Sequence, residues 1–385
     1  MKILLIHCYY TVKGGEDAVF EQEGKKLAIN NDVRILKFYN KNSIAGGFQF
    51  LVSIWNISAA YKIKRNIRDF KPEVVHLHNW HFAIGPLCLR TIKKLNVPLV
   101  VTLHNYRLIC PSATLLLNGE ISIEGLKTLF PLKSIFAKAY RESYILTFWL
   151  AFINWFHSKI GTWKKVDKYI VLTEFAKEIF CNSRLEIEDS KIVVKPNFVD
   201  TEESTLKFVR SDHFLFVGRL SEEKGVLILL EVFKNSQNKL RIAGDGPLIE
   251  KVIKFAENNS NITFLGRLDK SDVVKEIRQC NALIFPSIWF EGMPMTVIEA
   301  QSEGTCVIAS DIGAMASMIQ QDLNGLLFEM GSAFALNKAL KYWVEMSTNK
   351  KNEIEYNALM NYENLYNPEK NIKDLEAIYK SVLYN

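Results

Sequence analysis

The stretch Phe285-Pro286-Ser287-Ile288-Trp289-Phe290-Glu291-Gly292-Met293-Pro294-Met295-Thr296-Val297-Ile298-Glu299-Ala300 runs from an apolar strand, through a loop broken by proline and glycine, into a helix. Pro294 suits the first turn of that helix, where a missing N–H costs nothing. Gly292 allows the loop to approach a ligand closely. A helix N-terminus presents free N–H groups and a positive dipole end, which suits a diphosphate. Glu291 stands in the loop and Glu299 eight positions further on. Carboxylates accept paired hydrogen bonds, so two of them beside an anion site point to sugar or ribose hydroxyls.

The same strand–loop–helix grammar extends in both directions. Apolar runs at Ile3–Ile6, Val33–Phe38, Val74–Leu77, Leu99–Leu103 and Tyr169–Leu172 alternate with amphipathic segments. A second series follows at Phe214–Val217, Leu240–Ile242, Ile262–Phe264, Ala282–Phe285 and Cys306–Ala309. Such alternation predicts βαβ units and parallel sheets buried on both faces. Between the series lie Lys195-Pro196-Asn197 and the polar stretch Thr201–Thr205, where Pro196 and Asn197 favour a turn. The expected architecture is α/β, with two Rossmann-like parallel-sheet domains facing across a cleft at the carboxyl ends of their strands. The first covers 1–197 and the second covers 198–367. A last helix over 368–385, from about Pro368, packs back on the first.

A second cluster, Phe216-Val217-Gly218-Arg219-Leu220-Ser221-Glu222-Glu223-Lys224-Gly225, follows a strand. Arg219 and Lys224 would emerge at the sheet's carboxyl edge, where two cations neutralise a departing diphosphate.

Taken together, Val217-Gly218-Arg219 with Lys224-Gly225, Ala243-Gly244-Asp245-Gly246-Pro247 and the Glu291…Glu299 block resemble the family 4 glycosyltransferases of the GT-B fold. In the first half, Lys13-Gly14-Gly15-Glu16 and Val101-Thr102-Leu103-His104-Asn105 look like that family's glycine loop and TxH element. The resemblance implies a retaining, metal-independent hexosyl- or related transferase. Its donor would be a nucleoside diphosphate sugar, UDP-sugar favoured, with no further cofactor. It also implies a role for each matching residue. Arg219 and Lys224 would grip the donor diphosphate, Glu299 the ribose hydroxyls and Glu291 the donor sugar. The Gly292, Met293 and Pro294 amides would meet sugar hydroxyls or phosphate. Gly15 would leave room for the diphosphate, and His104 would lie at the sugar's reacting face, so His104 and Glu291 are the catalytic candidates. Asn105 departs from the family pattern, which often has Asp or Gly there. The segment after Asn118-Gly119 lacks the cysteines of some relatives.

Other readings of the same residues are weaker. His76, His78 and His81 form H-x-H-x-x-H, and two histidines on one strand face can hold a metal. No cysteine or carboxylate joins them in sequence, so no metal site is expected. Gly244-Asp245-Gly246-Pro247 reads as a structural turn near the donor. G-x-G-x-x-G is absent after the first strand and no P-loop occurs. A two-carboxylate glycosidase would not explain Arg219 and Lys224.

Composition sets the outer limits. The 385 residues are 48% hydrophobic and 23% charged, which excludes disorder and leaves room for two or three domains. The net charge of +6 permits an anionic partner, but no basic tail or finger spacing supports nucleic acid. The six cysteines include no C-x-x-C pair and fit a reducing cytosol. Ser143–Ser158 is the longest uncharged run and falls short of a spanning helix. It lies within Leu126–Lys165, a segment dense in aromatic and basic residues. That segment reads either as helices packed on the first domain or as an anionic-membrane contact. A cytoplasmic location follows, with peripheral attachment to the inner face of the cell membrane as the sharper reading. The function expected is sugar transfer to a lipid-linked or polysaccharide acceptor in surface glycan biosynthesis. The alternatives are a non-catalytic nucleotide-sugar-binding scaffold and a nucleotide-sugar epimerase.

Overall fold

The structure is a computed structural model that describes residues 1–11, 14–123, 126–128, 130–201, 210–234 and 236–384. Lys13 of the glycine loop, Leu129 and most of the polar stretch after Thr201 lie outside the described residues. The chain divides into two compact units, Met1–Asn197 with Pro368–Asn385, and Phe198–Asn367.

The first unit is built on β1 (Lys2–Tyr9), β2 (Asp32–Tyr39), β3 (Val74–Asn79) and β4 (Leu99–Leu103). A short antiparallel hairpin follows, β5 (Leu116–Leu117) and β6 (Glu120–Ile121), then β7 (Lys168–Val171) and β8 (Ile192–Val194). Its six-stranded sheet has the order β2-β1-β3-β4-β7-β8, with every pair parallel. The apolar runs form its centre because both faces are covered: Ile3, Leu4, Leu5 and Ile6 have no exposed surface. Helix Pro368–Leu383 belongs to this unit. Leu375 and Tyr379 enter the core around Ile3 and Phe20, and Asn371 Nδ2 donates to the Pro196 carbonyl at 2.7 Å.

The second unit carries β9 (His213–Val217), β10 (Lys239–Ala243), β11 (Ile262–Gly266), β12 (Ala282–Phe285), β13 (Val307–Ser310) and β14 (Leu326–Phe328). Its order is β11-β10-β9-β12-β13-β14, again all parallel. Strand β14 and the β5–β6 hairpin were not legible as apolar runs, being three and two residues long. Each sheet reverses its strand order beside its first strand, between β1 and β3 and between β9 and β12. Ligands of such sheets bind at that crevice, beyond the strands' carboxyl ends.

Candidate active site

In the second unit, two loops meet beyond β9 and β12. Gly225 has φ +71, and a Cβ there would stand 1.9 Å from the Pro286 carbonyl oxygen. Only glycine allows this approach, and Ile288 N–H donates to the Glu223 carbonyl at 2.9 Å to hold it. The consequence is an ion pair: Lys224 Nζ lies 2.7 Å from Glu291 Oε1. The same oxygen accepts from Ser287 Oγ at 2.7 Å and Trp289 Nε1 at 2.6 Å. Glu291 is 6% exposed, and the Lys224 ammonium also sits over the Trp289 and Phe285 rings at 5.3 and 5.5 Å. Sequence reasoning gave these two residues separate duties, whereas the fold makes them one unit.

Arg219 follows the same strand and is exposed, with no ion pair among the described residues. Gly244 and Gly246 pack on its loop so tightly that a Cβ would meet the Gly218 and Leu220 carbonyl oxygens at 1.8 and 2.5 Å. The Gly244–Pro247 turn is thus a brace for the Arg219 loop. Helix Met295–Ser302 begins directly after Pro294, its N-cap. Proline has no N–H, so the Pro294 amide, unlike those of Gly292 and Met293, cannot donate to an anion. Glu299 lies a turn into the helix, and burial raises its carboxyl above the usual range, partly offset by Lys270.

In the first unit, Gly15 opens helix Gly15–Leu27 at the carboxyl end of β1 and is exposed. Asp17 fixes the entry: its Oδ2 accepts the Gly14 N–H at 2.8 Å and its Oδ1 pairs with His7 Nε2 at 2.7 Å. His104 follows β4 and sits in a buried polar chain. Lys195 Nζ is 2.7 Å from Glu23 Oε1, Glu23 Oε2 is 3.1 Å from His78 Nε2, and His78 Nδ1 is 3.1 Å from His104 Nε2. A nitrogen lone pair facing a carboxylate would be repelled, so the His78 proton belongs on Nε2. His104 Nδ1 is buried and without a hydrogen-bond partner among the described residues. Burial, with the neighbouring His78, holds the His104 pKa well below the ordinary value. Such a ring is a weak base and a good acceptor for a hydroxyl.

The carboxylate thought to be missing from the histidine cluster is Glu23. Glu23, His76 and His78 offer ligand atoms within 4.8 Å of one another. Their partners are protein groups, however. Besides the Lys195 contact, His76 Nδ1 bonds Tyr379 Oη at 2.7 Å and His76 Nε2 bonds Thr102 Oγ1 at 2.8 Å. Glu23 could have been suspected from sequence, because it continues the buried Val19–Phe20 stripe at helical spacing. Lys195 offered no such signal. Glu16, beside Gly15, shares a small cavity with His104 and Asn105, and burial with Asp17 nearby pushes its carboxyl up to about 8.

Two compact parallel-sheet units, each with its candidate residues beyond the strands' carboxyl ends, define the GT-B class of glycosyltransferase architecture. The model "Glycosyltransferase Family 4" matches residues 37–203 and "Glycosyl transferases group 1" matches residues 200–360. An uncharacterized glycosyltransferase of Methanocaldococcus jannaschii is 27% identical over 86% of this chain and 84% of its own. A UDP-Gal:alpha-D-GlcNAc-diphosphoundecaprenol alpha-1,3-galactosyltransferase of Escherichia coli is 28% identical over 58% of this chain and 62% of its own. The Anabaena HepE protein, solved in complex with UDP, superposes with TM-score 0.68 at 14% identity, covering 99% of this chain and all of its own. The chain belongs to the family 4 glycosyltransferases.

Among the described residues no helix is long and apolar enough to cross a membrane. The Leu126–Lys165 segment packs on its unit in part and leaves large apolar side chains exposed. Helix Tyr144–Lys159 buries Leu150, Ile153, Asn154 and His157 against its unit. Its Tyr144, Ile145 and Phe148 are 51, 79 and 48% exposed, and Phe136 of the preceding helix is 73% exposed.

Proposed function

We propose that this glycosyltransferase is a retaining, metal-independent enzyme that moves a hexose or related sugar from a nucleoside diphosphate sugar to a lipid-linked or polysaccharide acceptor in surface glycan assembly. UDP-sugar is the favoured donor. The observation that carries the reading is the Lys224–Glu291 pair at the head of helix Met295–Ser302. It offers a cation to a leaving diphosphate and a carboxylate to sugar hydroxyls at one point. The UDP bound by HepE and the lipid-diphosphate acceptor named for the E. coli relative are consistent with it.

In this reading Arg219 and Lys224 neutralise the diphosphate, assisted by the N–H groups of Gly292 and Met293. Glu299 holds the ribose and Gly15 leaves space for the diphosphate. His104 Nδ1 accepts a sugar hydroxyl and keeps the ring oriented. The bond from C1 to the phosphate oxygen breaks, its electron pair leaving with the diphosphate. The acceptor oxygen forms the new bond on the same face, and its proton passes to the departing phosphate oxygen. A protein base is then unnecessary, which suits a His104 of low basicity. The enzyme would work at the cytoplasmic face of the membrane.

Thermal shifts against UDP, GDP, dTDP and ADP, each with EDTA and with magnesium, test the donor site. Stabilisation by one of them, insensitive to EDTA, is expected, followed by transfer with retention when the matching sugar nucleotide is supplied. Binding without turnover would replace the enzyme by a scaffold. Interconversion of free donor sugars would indicate an epimerase.

A further inference from the structure

A cavity of about 410 Å³ opens in the first unit beyond β1 and β2, and none of the assigned residues lines it. Three of its lining side chains are cations, Lys41, Arg107 and Arg141, and none is a carboxylate. Among the described residues none of the three forms an ion pair. Arg107 is held over the Phe82 and Tyr140 rings at 5.7 and 5.2 Å, and its Nε is buried without a hydrogen-bond partner among the described residues. A positioned guanidinium with an unused N–H is costly unless an anion completes it. The walls of the cavity include Phe50 of helix Ser43–Val52 and Leu146 of helix Tyr144–Lys159. Those helices are tied together by Trp149 Nε1 donating to the Phe50 carbonyl at 3.0 Å. Both also expose large apolar side chains: Ile44 is 91% and Phe48 67% exposed on the first, Ile145 79% on the second. A cationic pocket between two helices with apolar outer faces fits one ligand chemistry, a phosphate or diphosphate carried on a hydrocarbon chain.

We infer that Lys41, Arg107 and Arg141 hold the diphosphate of a lipid-linked acceptor, whose hydrocarbon chain lies along the exposed apolar residues of helices Ser43–Val52 and Tyr144–Lys159. The inference rests on the acceptor being lipid-linked, as proposed above. It goes further in assigning a second anion site, separate in the chain from the donor residues.

The test is binding of farnesyl diphosphate to the full chain by calorimetry, with saturating UDP present to fill any nucleotide site. Binding is expected, weakened at least tenfold in Lys41→Glu and in Arg141→Glu, both at exposed positions. Arg107→Gln should act likewise, with circular dichroism confirming its fold. Phe48→Asp with Ile145→Asp should weaken farnesyl diphosphate but leave inorganic pyrophosphate unchanged. The inference is overturned if farnesyl diphosphate fails to bind, if the charge variants bind it like wild type, or if farnesol binds as tightly. It is also overturned if vesicles of phosphatidylglycerol capture wild type and charge variants alike while farnesyl diphosphate is ignored, since the surface would then be a general membrane contact. Loss of nucleotide binding in the thermal-shift series, with farnesyl diphosphate binding intact, would instead refute the donor reading and leave this site standing.

Discussion

Lys224 Nζ and Glu291 Oε1 stand 2.7 Å apart, although 67 positions separate them in the chain. Each therefore conditions the other: the carboxylate offsets the charge of the cation, and the cation fixes the orientation of the carboxylate.

Glu291→Gln keeps a hydrogen-bonding oxygen and removes the charge. Nucleoside diphosphate affinity should stay the same or rise, because Lys224 is released, while transfer falls at least about 100-fold, the scale of a lost transition-state contact. Glu299→Gln should do the opposite to binding. Losing charge-assisted bonds of about 1.5–3 kcal/mol weakens nucleotide affinity about 10- to 100-fold. Calorimetry with the nucleotide and initial rates separate the two, and equal loss of nucleotide affinity in both would refute the division of labour.

Gly225→Ala should damage the site without touching a ligand. Its φ of +71 and the Pro286 carbonyl at 1.9 Å from the new Cβ force the two loops apart. The strain is about 1–3 kcal/mol, visible in urea unfolding, and the Lys224–Glu291 contact should break. Transfer should fall together with nucleotide affinity, unlike in Glu291→Gln.

Lys195 and Glu23 are both buried, with side chains 3% exposed. Burial would raise the Glu23 pKa, but Lys195 and His78 outweigh it and hold the carboxyl well below its ordinary value. Lys195→Met leaves the buried carboxylate with His78 but without its buried cation, and should cost about 3–5 kcal/mol in urea unfolding. Lys195→Met with Glu23→Leu should recover much of that loss. Glu23→Gln should also alter the ¹⁵N tautomer signature of His104, which a purely structural carboxylate would leave unchanged.

Acidification should destabilise the fold early. Burial depresses the pKa of His76 and His81 well below the ordinary value, followed by His78 for the first and Arg107 for the second. The unfolded chain takes up these protons below about pH 6.5 and the folded chain does not, so stability falls as pH falls. Each group contributes about 1.4 kcal/mol per pH unit once the pH is clearly below that value. Urea unfolding at pH 7, 6 and 5 should show the decline, and a flat profile would contradict these neutral, buried rings.

The sequence alone determined the parallel α/β character and the positions of the central strands, because strands buried on both faces must be uninterrupted apolar runs. It also located the Glu291–Glu299 block, because a strand, a Pro/Gly loop and a helix start are local signals. The edge strand Leu326–Phe328 escaped, being too short for a pattern. Tertiary structure alone decided that Lys224 lies on Glu291, since only the Gly225–Pro286 approach brings their loops together. It alone built the Lys195–Glu23–His78–His104 chain from four separate segments. Long-range polar pairing leaves no periodicity in a sequence. It is fixed when the burial of apolar faces brings those segments together and puts their polar groups within reach of one another.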